Sequence, residues 1–261
     1  LLTDSIIRGG TETRSPAELA RVLDENAIHL SVAVGEEEAV IRLSVLKDDW
    51  QSGLAILQEI LTRPAFDAGV LDVVKTQQLT ELKRQGGNAQ AVAGRERDIW
   101  YFKGHPYGRD PLAGLQSIPL IGREDLKQFL RDYFVPSNMV AAIAGDIDQE
   151  DVTAGLSQFF AALPQTRAPQ RNLADPAETS PVLALIHKPG QVQSQIVLSL
   201  PSVKRTHPDY WKISLLMNIF GGGDSLMYTR LRDDLGLVYS AGFHQTYKWN
   251  AGFLTGYIGC K

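Results

Sequence analysis

The chain has 261 residues, of which 44% are hydrophobic and 21% charged, and these ordinary globular values exclude long disorder and a fibrous repeat. Its net charge of -4 comes from interspersed acidic and basic side chains, so the sequence carries no nucleic-acid footprint and favours peptide or protein partners. No apolar run reaches the roughly 18 residues of a membrane span, and the single cysteine, Cys260, excludes an internal disulfide and a multi-cysteine metal site.

The first part of the chain is predicted to be helical, with one strand pair. Ser15 is a suitable helix N-cap and Pro16 a suitable first helical residue, so a helix is predicted to about Asn26. Apolar residues alternate with small or polar residues on either side of Gly35, and this pattern predicts a β-hairpin. Helical periodicity, glycines and prolines predict the remaining elements, which are helices at 50–61, 67–84, 91–102, 123–133 and 149–163 and a buried strand at 138–145.

A proline-rich stretch divides the sequence. Residues 164–181 hold four prolines and almost no large apolar side chains, which is typical of an interdomain linker. We therefore predict a first domain at 1–163 and a second at 182–261. In the second domain we expect strands at 182–186, 194–200, 238–245 and 252–258, a helix at 208–220 and a helix that ends at Arg232. Hairpins mixed with helices favour the α+β class over a regular βαβ series.

The two ends of the sequence lack the usual boundary signals. The first residues show neither an initiator methionine nor the basic, apolar and small-residue order of a secretory signal. The predicted strand at 252–258 runs to Lys261 without a turn. We therefore expect both domains to be incomplete, the first at its N-terminal strands and the second beyond residue 261.

The histidines do not form a zinc helix. They stand at positions 29, 105, 187, 207 and 244, whereas two metal-binding histidines on one helix face need a spacing of about one turn. We interpret each of them as a surface or structural residue.

Two features of the second domain each allow two interpretations from the residues alone. The run Gly221, Gly222 and Gly223 follows a helix and lacks a following Lys-Ser/Thr, so a close backbone approach is favoured over a phosphate cradle. Arg232 ends a helix and Tyr239 begins a strand, and together they could hydrogen-bond a peptide carbonyl or an oxyanion. The alternative is a surface arginine with a half-buried tyrosine.

Several segments, in order along the chain, resemble peptidase family M16, the pitrilysin, insulinase and mitochondrial processing peptidase family. Its first domain is matched by the segments Ile7 to Leu19, Gly104-His105-Pro106-Tyr107-Gly108 followed by Leu115 to Ile118, and Tyr133 to Val140 with Gly145-Asp146. The run from Asp209 through the three glycines to Arg232 and Gly236-Leu237-Val238-Tyr239-Ser240 matches its second. The resemblance implies two α+β domains of the M16 type, with antiparallel or mixed sheets and helices packed on one side.

The resemblance also implies that the zinc motif is lost. Family members bind zinc through an inverted H-x-x-E-H helix, whose glutamate is the general base, and through a later glutamate. The motif places Leu1 and Ser5 at the two histidine positions and Asp4 at the base position. The later ligand position falls on Glu81, which is the only zinc-ligand position that retains a ligand residue. A second acidic position of the family falls near Val74. We expect no catalytic residue and no metal in this chain.

These expectations suggest a subunit that assists a catalytic partner. By resemblance, Arg232, Tyr239 and the three glycines contact a peptide substrate, while Zn²⁺ is held by a partner subunit that carries H-x-x-E-H. The chain would then be the non-catalytic subunit of a heterodimeric M16B zinc endopeptidase, in the bacterial periplasm or cytoplasm, and self-association is the other arrangement. The alternatives are a structural core subunit that touches no substrate and, less favoured, a zinc peptidase active by itself.

Overall fold

The computed structural model describes residues 1–170, 173–177, 180–221 and 225–260. The chain forms two compact units, the first made of residues 1–80 and 115–171 and the second of residues 81–114 and 172–261. Helices are mixed with small antiparallel sheets, which confirms the predicted α+β class. The contiguous domains 1–163 and 182–261 stay a prediction.

The helices and strands of the described residues follow most of the sequence pattern. Up to residue 170 they are α1 (Leu2–Ser5), α2 (Pro16–Glu25), β1 (His29–Val34), β2 (Ala39–Ser44), α3 (Trp50–Thr62), α4 (Ala68–Gly87), α5 (Ala89–Tyr101), α6 (Gly114–Ser117), α7 (Arg123–Tyr133) and α8 (Gln149–Ala162). The later elements are β3 (Ser194–Ser202), α9 (Tyr210–Gly221), α10 (Leu226–Tyr228), a π-helical segment (Thr229–Asp234), β4 (Val238–Tyr247) and β5 (Gly252–Cys260). Throughout the described ranges, every helix is too short or too polar to cross a membrane.

The first unit is built around one apolar core. β1 and β2 pair as an antiparallel hairpin, in which His29 lies opposite Ser44 and Val34 opposite Ala39. Because side chains alternate along a strand, one face of the hairpin carries Val32 into the core while the other carries polar residues outward. The helices supply most of the remaining buried side chains, including Ile6, Leu19, Leu57, Ile60, Leu126, Leu130 and Phe159.

Helix α2 begins as the sequence predicts. The Ser15 hydroxyl accepts a hydrogen bond from the Glu18 amide at 3.3 Å, and the Glu18 carboxylate accepts one from the Ser15 amide at 2.8 Å. This reciprocal pair is a capping box, and Pro16 occupies the first turn, where no amide donor is needed. The hydrogen bonds from Ser15 hold the pKa of Glu18 below its usual value.

The segment that links α1 to α2 is fastened to α3 by one carboxylate. Glu59 of α3 accepts hydrogen bonds from the hydroxyls of Thr11 and Thr13 and forms an ion pair with Arg14. The Thr11 hydroxyl also accepts from the Arg14 amide at 3.0 Å. Thr11 and Arg14, which belong to the motif of the family resemblance, therefore help to hold this loop in place.

The second unit contains a three-stranded antiparallel sheet in the order β3-β5-β4. Helix α5 contacts the sheet through Arg97, whose guanidinium donates to the Thr255 hydroxyl at 3.1 Å and lies 5.1 Å from the centre of the Phe253 ring. Phe253 also packs edge-on against Phe102, with ring centres 5.4 Å apart. This aromatic cluster is the core of the unit.

The Gly-His-Pro-Tyr-Gly loop of the family resemblance packs against the turn between β4 and β5. Tyr107 is buried, its hydroxyl accepts from the Asn250 amide at 3.3 Å, and the Lys248 ammonium lies 4.5 Å from its ring centre. The His105 ring nitrogen Nδ1 accepts from the Tyr107 amide at 3.2 Å. His105 therefore has the structural role that the sequence predicts.

Two predicted strands are absent from the part of the chain that the structure describes. Residues 139–144 and 182–186 have no regular secondary structure and pair with no strand, and Val140 is 100% exposed and Leu183 98% exposed. The predictions of a buried strand at 138–145 and a strand at 182–186 are wrong for this structure. An apolar run becomes a strand only where another strand satisfies its backbone amides and carbonyls, and neither run lies beside one here.

We predict that His244 makes the second unit sensitive to mild acid. Partial desolvation of the ring and, to a lesser degree, the charge of Arg97 hold the pKa of His244 below its ordinary value. The unfolded chain then binds more protons, so stability is lost as the pH falls through the unfolded histidine value of about 6.5. Urea unfolding at pH 7.5 and 5.5 should show a smaller loss for His244→Gln than for the unchanged chain. His187→Gln, which removes a histidine outside the three-stranded sheet, is the control, and an equal loss in both variants would contradict the assignment.

Candidate functional site

Helix α1 holds the positions at which the family places its zinc ligands. Ser5 is 0% exposed, and its hydroxyl donates to the Leu1 carbonyl at 2.7 Å. The Leu1 side chain packs against the core of the first unit. A leucine has no donor atom for a metal, and the serine oxygen is already bonded to its own helix.

Asp4, at the position of the general base, is tied to a neighbouring helix. Its carboxylate accepts a hydrogen bond from the Gln78 side chain of α4 at 3.1 Å. The preceding Thr3 hydroxyl accepts from the Val34 amide at 2.9 Å, which fixes α1 to the end of β1. These bonds give α1 a structural role.

Glu81 forms hydrogen bonds within its own helix, α4. Its carboxylate accepts two hydrogen bonds from Arg84, each of 2.8 Å, and one from Gln85 of 3.1 Å. The bonds from Arg84 and then Gln85 hold its pKa below the usual value. Val74, near the second acidic position, is fully buried.

The residues at these positions do not fit a zinc ion. Zinc in proteins is bound by imidazole, thiolate and carboxylate groups, usually three or four of them. Within the described residues, no three His, Cys, Asp or Glu side chains lie close enough together to hold a metal. We therefore derive no chemistry through zinc in this chain.

Arg232 and Tyr239 are brought together by a sharp reversal of the chain. Arg232 lies in the π-helical segment, Tyr239 near the start of β4, and Gly236 between them has a φ of +62°, which favours glycine. The Arg232 guanidinium donates to the backbone carbonyl of Tyr239 at 3.0 Å. Its partner is thus the carbonyl, and the Tyr239 side chain remains 49% exposed.

Tyr228 is a third member of this site that the sequence reasoning missed. Arg232 also donates to the Tyr228 hydroxyl, and its guanidinium lies 5.1 Å from the centre of the Tyr228 ring. The signal available in the sequence was the spacing of four residues, which places two side chains on one helix face. We call Tyr228, Arg232 and Tyr239 the arginine site.

The glycines next to this site are described only in part. Gly221 ends α9, and a methyl group added at its Cα would collide with the Phe243 carbonyl of β4. This observation supports the predicted close backbone approach at Gly221. Gly222 and Gly223 lie outside the described residues.

The chain matches two family models that together include most of its length. Residues 2–110 match the model described as Insulinase (Peptidase family M16), and residues 121–261 match the one described as Peptidase M16 inactive domain. A solved peptidase M16 inactive domain from Pseudomonas fluorescens covers the whole chain with 26% identity and a TM-score of 0.91, and the chain covers 64% of it.

The curated relatives are longer than this chain. A non-peptidase homolog named YmxG from Helicobacter pylori is 26% identical over 98% of the chain and 59% of its own length. A probable mitochondrial-processing peptidase subunit beta from Schizosaccharomyces pombe is 24% identical over 84% of the chain and 48% of its own length. An uncharacterized zinc protease from Rickettsia bellii is 25% identical over 95% of the chain and 60% of its own length. The matches span both units, and the chain belongs to peptidase family M16.

Proposed function

We propose that this chain is the non-catalytic subunit of a heterodimeric M16B zinc endopeptidase. In this proposal a partner subunit holds Zn²⁺ and performs the hydrolysis. The arginine site of this chain, together with Gly221, Gly222 and Gly223, contributes to binding the peptide substrate.

The observation that carries the proposal is the contrast between the two family sites. At the zinc positions, Leu1 packs into the core and the Ser5 hydroxyl is bonded within its helix. Arg232 and Tyr239 are both exposed, and Arg232 is held by two neighbours. The first site lacks both imidazole ligands of the family, whereas the second presents a positioned cation to solvent.

The chemistry of Arg232 suits a peptide or an oxyanion. A guanidinium is always charged and has five N–H donors in a fixed plane. The two hydrogen bonds of Arg232 described above both come from Nη1, and its remaining donors have no acceptor in the described ranges. Those donors could bind a substrate carbonyl or the negative charge that develops on it during hydrolysis at the partner's zinc.

The names of the relatives support a non-catalytic role. The pairing with a zinc-bearing subunit is tested by the experiment below. The Helicobacter pylori relative is named a non-peptidase homolog, and the Schizosaccharomyces pombe relative is named a subunit of a peptidase. Both are longer than this chain, so the assembly proposed here rests on the arginine site.

The proposal predicts that Arg232→Ala lowers peptide cleavage by the complex. The chain would be co-purified with an M16 protein of the same organism that carries H-x-x-E-H, and kcat/KM measured with a fluorogenic peptide. We expect a loss of at least tenfold, about 1.4 kcal/mol, because a charge-assisted hydrogen bond to the transition state is removed. Tyr239→Phe retains the backbone carbonyl that positions Arg232, and thereby tests the phenol separately.

Arg230→Ala is the matched control. Arg230 lies in the same π-helical segment but pairs with Asp234 at 2.9 Å, so its removal should leave kcat/KM unchanged. Full activity of both Arg232→Ala and Tyr239→Phe complexes would support a structural subunit and refute a role in substrate binding. Stoichiometric zinc in the isolated chain, by elemental analysis, would refute the non-catalytic assignment.

A further inference from the structure

The first unit contains a cleft that the proposed function does not use. It lies between α2 and the outward face of the β1–β2 hairpin, and its volume is about 420 Å³. Binding sites for small molecules commonly have volumes of about 300–1,000 Å³. The cleft is therefore large enough for a ligand of two amino-acid residues.

The cleft is lined by both apolar and charged side chains. Leu23 and Ile28, which also belong to the core, are two of its apolar lining residues. Arg8, Asp24 and Arg42 are exposed lining residues. These two cations and one anion give the lining a net positive charge.

The two arginines lack protein partners. Among the residues that the structure describes, no carboxylate lies within ion-pairing distance of Arg8 or Arg42, and neither side chain forms a hydrogen bond. By contrast, Arg21 of α2, which does not line the cleft, pairs with Glu25 at 2.7 Å. The basic charge at the cleft is thus available to a ligand.

The backbone explains why Arg42 lies at this cleft. Arg42 pairs with Ser31 in the hairpin, and His29 pairs with Ser44, so all four belong to the polar face opposite Val32. The planar guanidinium forms paired hydrogen bonds with a carboxylate, while apolar lining residues favour an aliphatic body.

We propose that this cleft binds a ligand with an aliphatic body and a terminal carboxylate. The C-terminus of an apolar peptide and a medium-chain fatty acid share this chemistry. The site is independent of the arginine site and does not require a partner subunit, so it goes beyond the proposed function.

Calorimetric titration of the full chain tests the proposal at low salt. The probes are N-acetyl-leucyl-leucine with a free carboxylate, the same peptide with a C-terminal amide, and octanoate. We expect the free acid to bind at least tenfold more tightly than the amide, and Arg8→Gln/Arg42→Gln to remove that preference. If octanoate binds and loses affinity in the same variant, the cleft accepts fatty acids as well; if it does not bind, the ligand is the peptide.

Arg21→Gln is the matched control, because it removes a cation from α2, which borders the cleft, at a position that does not line it. It should retain the affinity of the unchanged chain for the free acid. The proposal would be overturned if the free acid and the amide bound equally well, or if none of the three probes bound. It would also be overturned if Arg21→Gln lost as much affinity as the double variant. Circular dichroism of the double variant shows whether it is folded, and the salt dependence of binding to the unchanged chain gives a second measure of the charge contribution.

Discussion

Glu59→Ala is expected to lower the free energy of unfolding of the first unit by about 3 kcal/mol. The substitution removes the single carboxylate that binds Thr11, Thr13 and Arg14. The Nη1 atom of Arg14, which pairs with Glu59, is buried, although the Arg14 side chain as a whole is 33% exposed. The substitution would therefore leave this nitrogen without its partner where water compensates poorly. Hydrogen exchange of α3 peptides over a urea series measures this loss in the first unit.

Glu25→Ala is the matched control for this prediction. It makes the same chemical change at an ion pair with Arg21, in which both side chains are more than half exposed. Exposed pairs of this kind contribute about 0.3–0.5 kcal/mol. Similar losses from Glu59→Ala and Glu25→Ala would mean that the loop before α2 is held by something other than Glu59.

Phe253→Ala is expected to destabilise the second unit by about 3–5 kcal/mol. Phe253 is 2% exposed and contacts the rings of Tyr101 and Phe102 and the guanidinium of Arg97. Its removal opens a cavity where α5 meets β5, and few side chains could move to fill it. Urea unfolding, followed by hydrogen exchange in α5 and β5, would measure the loss.

Leu198→Ala provides the comparison within the same sheet. Leu198 lies on β3, which pairs with β5, but its side chain is 54% exposed. We expect Leu198→Ala to lower the free energy of unfolding by less than about 1 kcal/mol, because folding removes less apolar surface from water at this position. If the two variants cost the same, the aromatic cluster is not the core of this unit.

The sequence predicted elements whose causes are local. The Ser15 N-cap of α2 and the β1–β2 hairpin each depend on residues within one short segment, and both were confirmed. The strand at 194–200 was also confirmed as β3. In each case the residues themselves specify the cap, the turn or the alternation of apolar side chains.

The sequence did not predict features that need a distant partner. Thr11 and Glu59 are 48 residues apart, and no periodicity connects them. The predicted strands at 138–145 and 182–186 have the composition of strands, but strand formation also requires a neighbouring backbone. At the arginine site, the spacing of Arg232 and Tyr239 could not tell a carbonyl partner from a phenol partner.

Each unit consists of two segments that alternate along the chain, and this order affects how the chain folds during its synthesis on the ribosome. The residues that open the second unit, 81–114, are made before the first unit receives its last segment, 115–171. Arg97 and Thr255, which bond α5 to β5, are 158 residues apart. Helix α5 therefore cannot pack against β5 until residue 255 has been made, and Phe102 lacks its contact with Phe253 until then. Such delayed, long-range closure slows folding and leaves apolar surface open to chaperones or to aggregation.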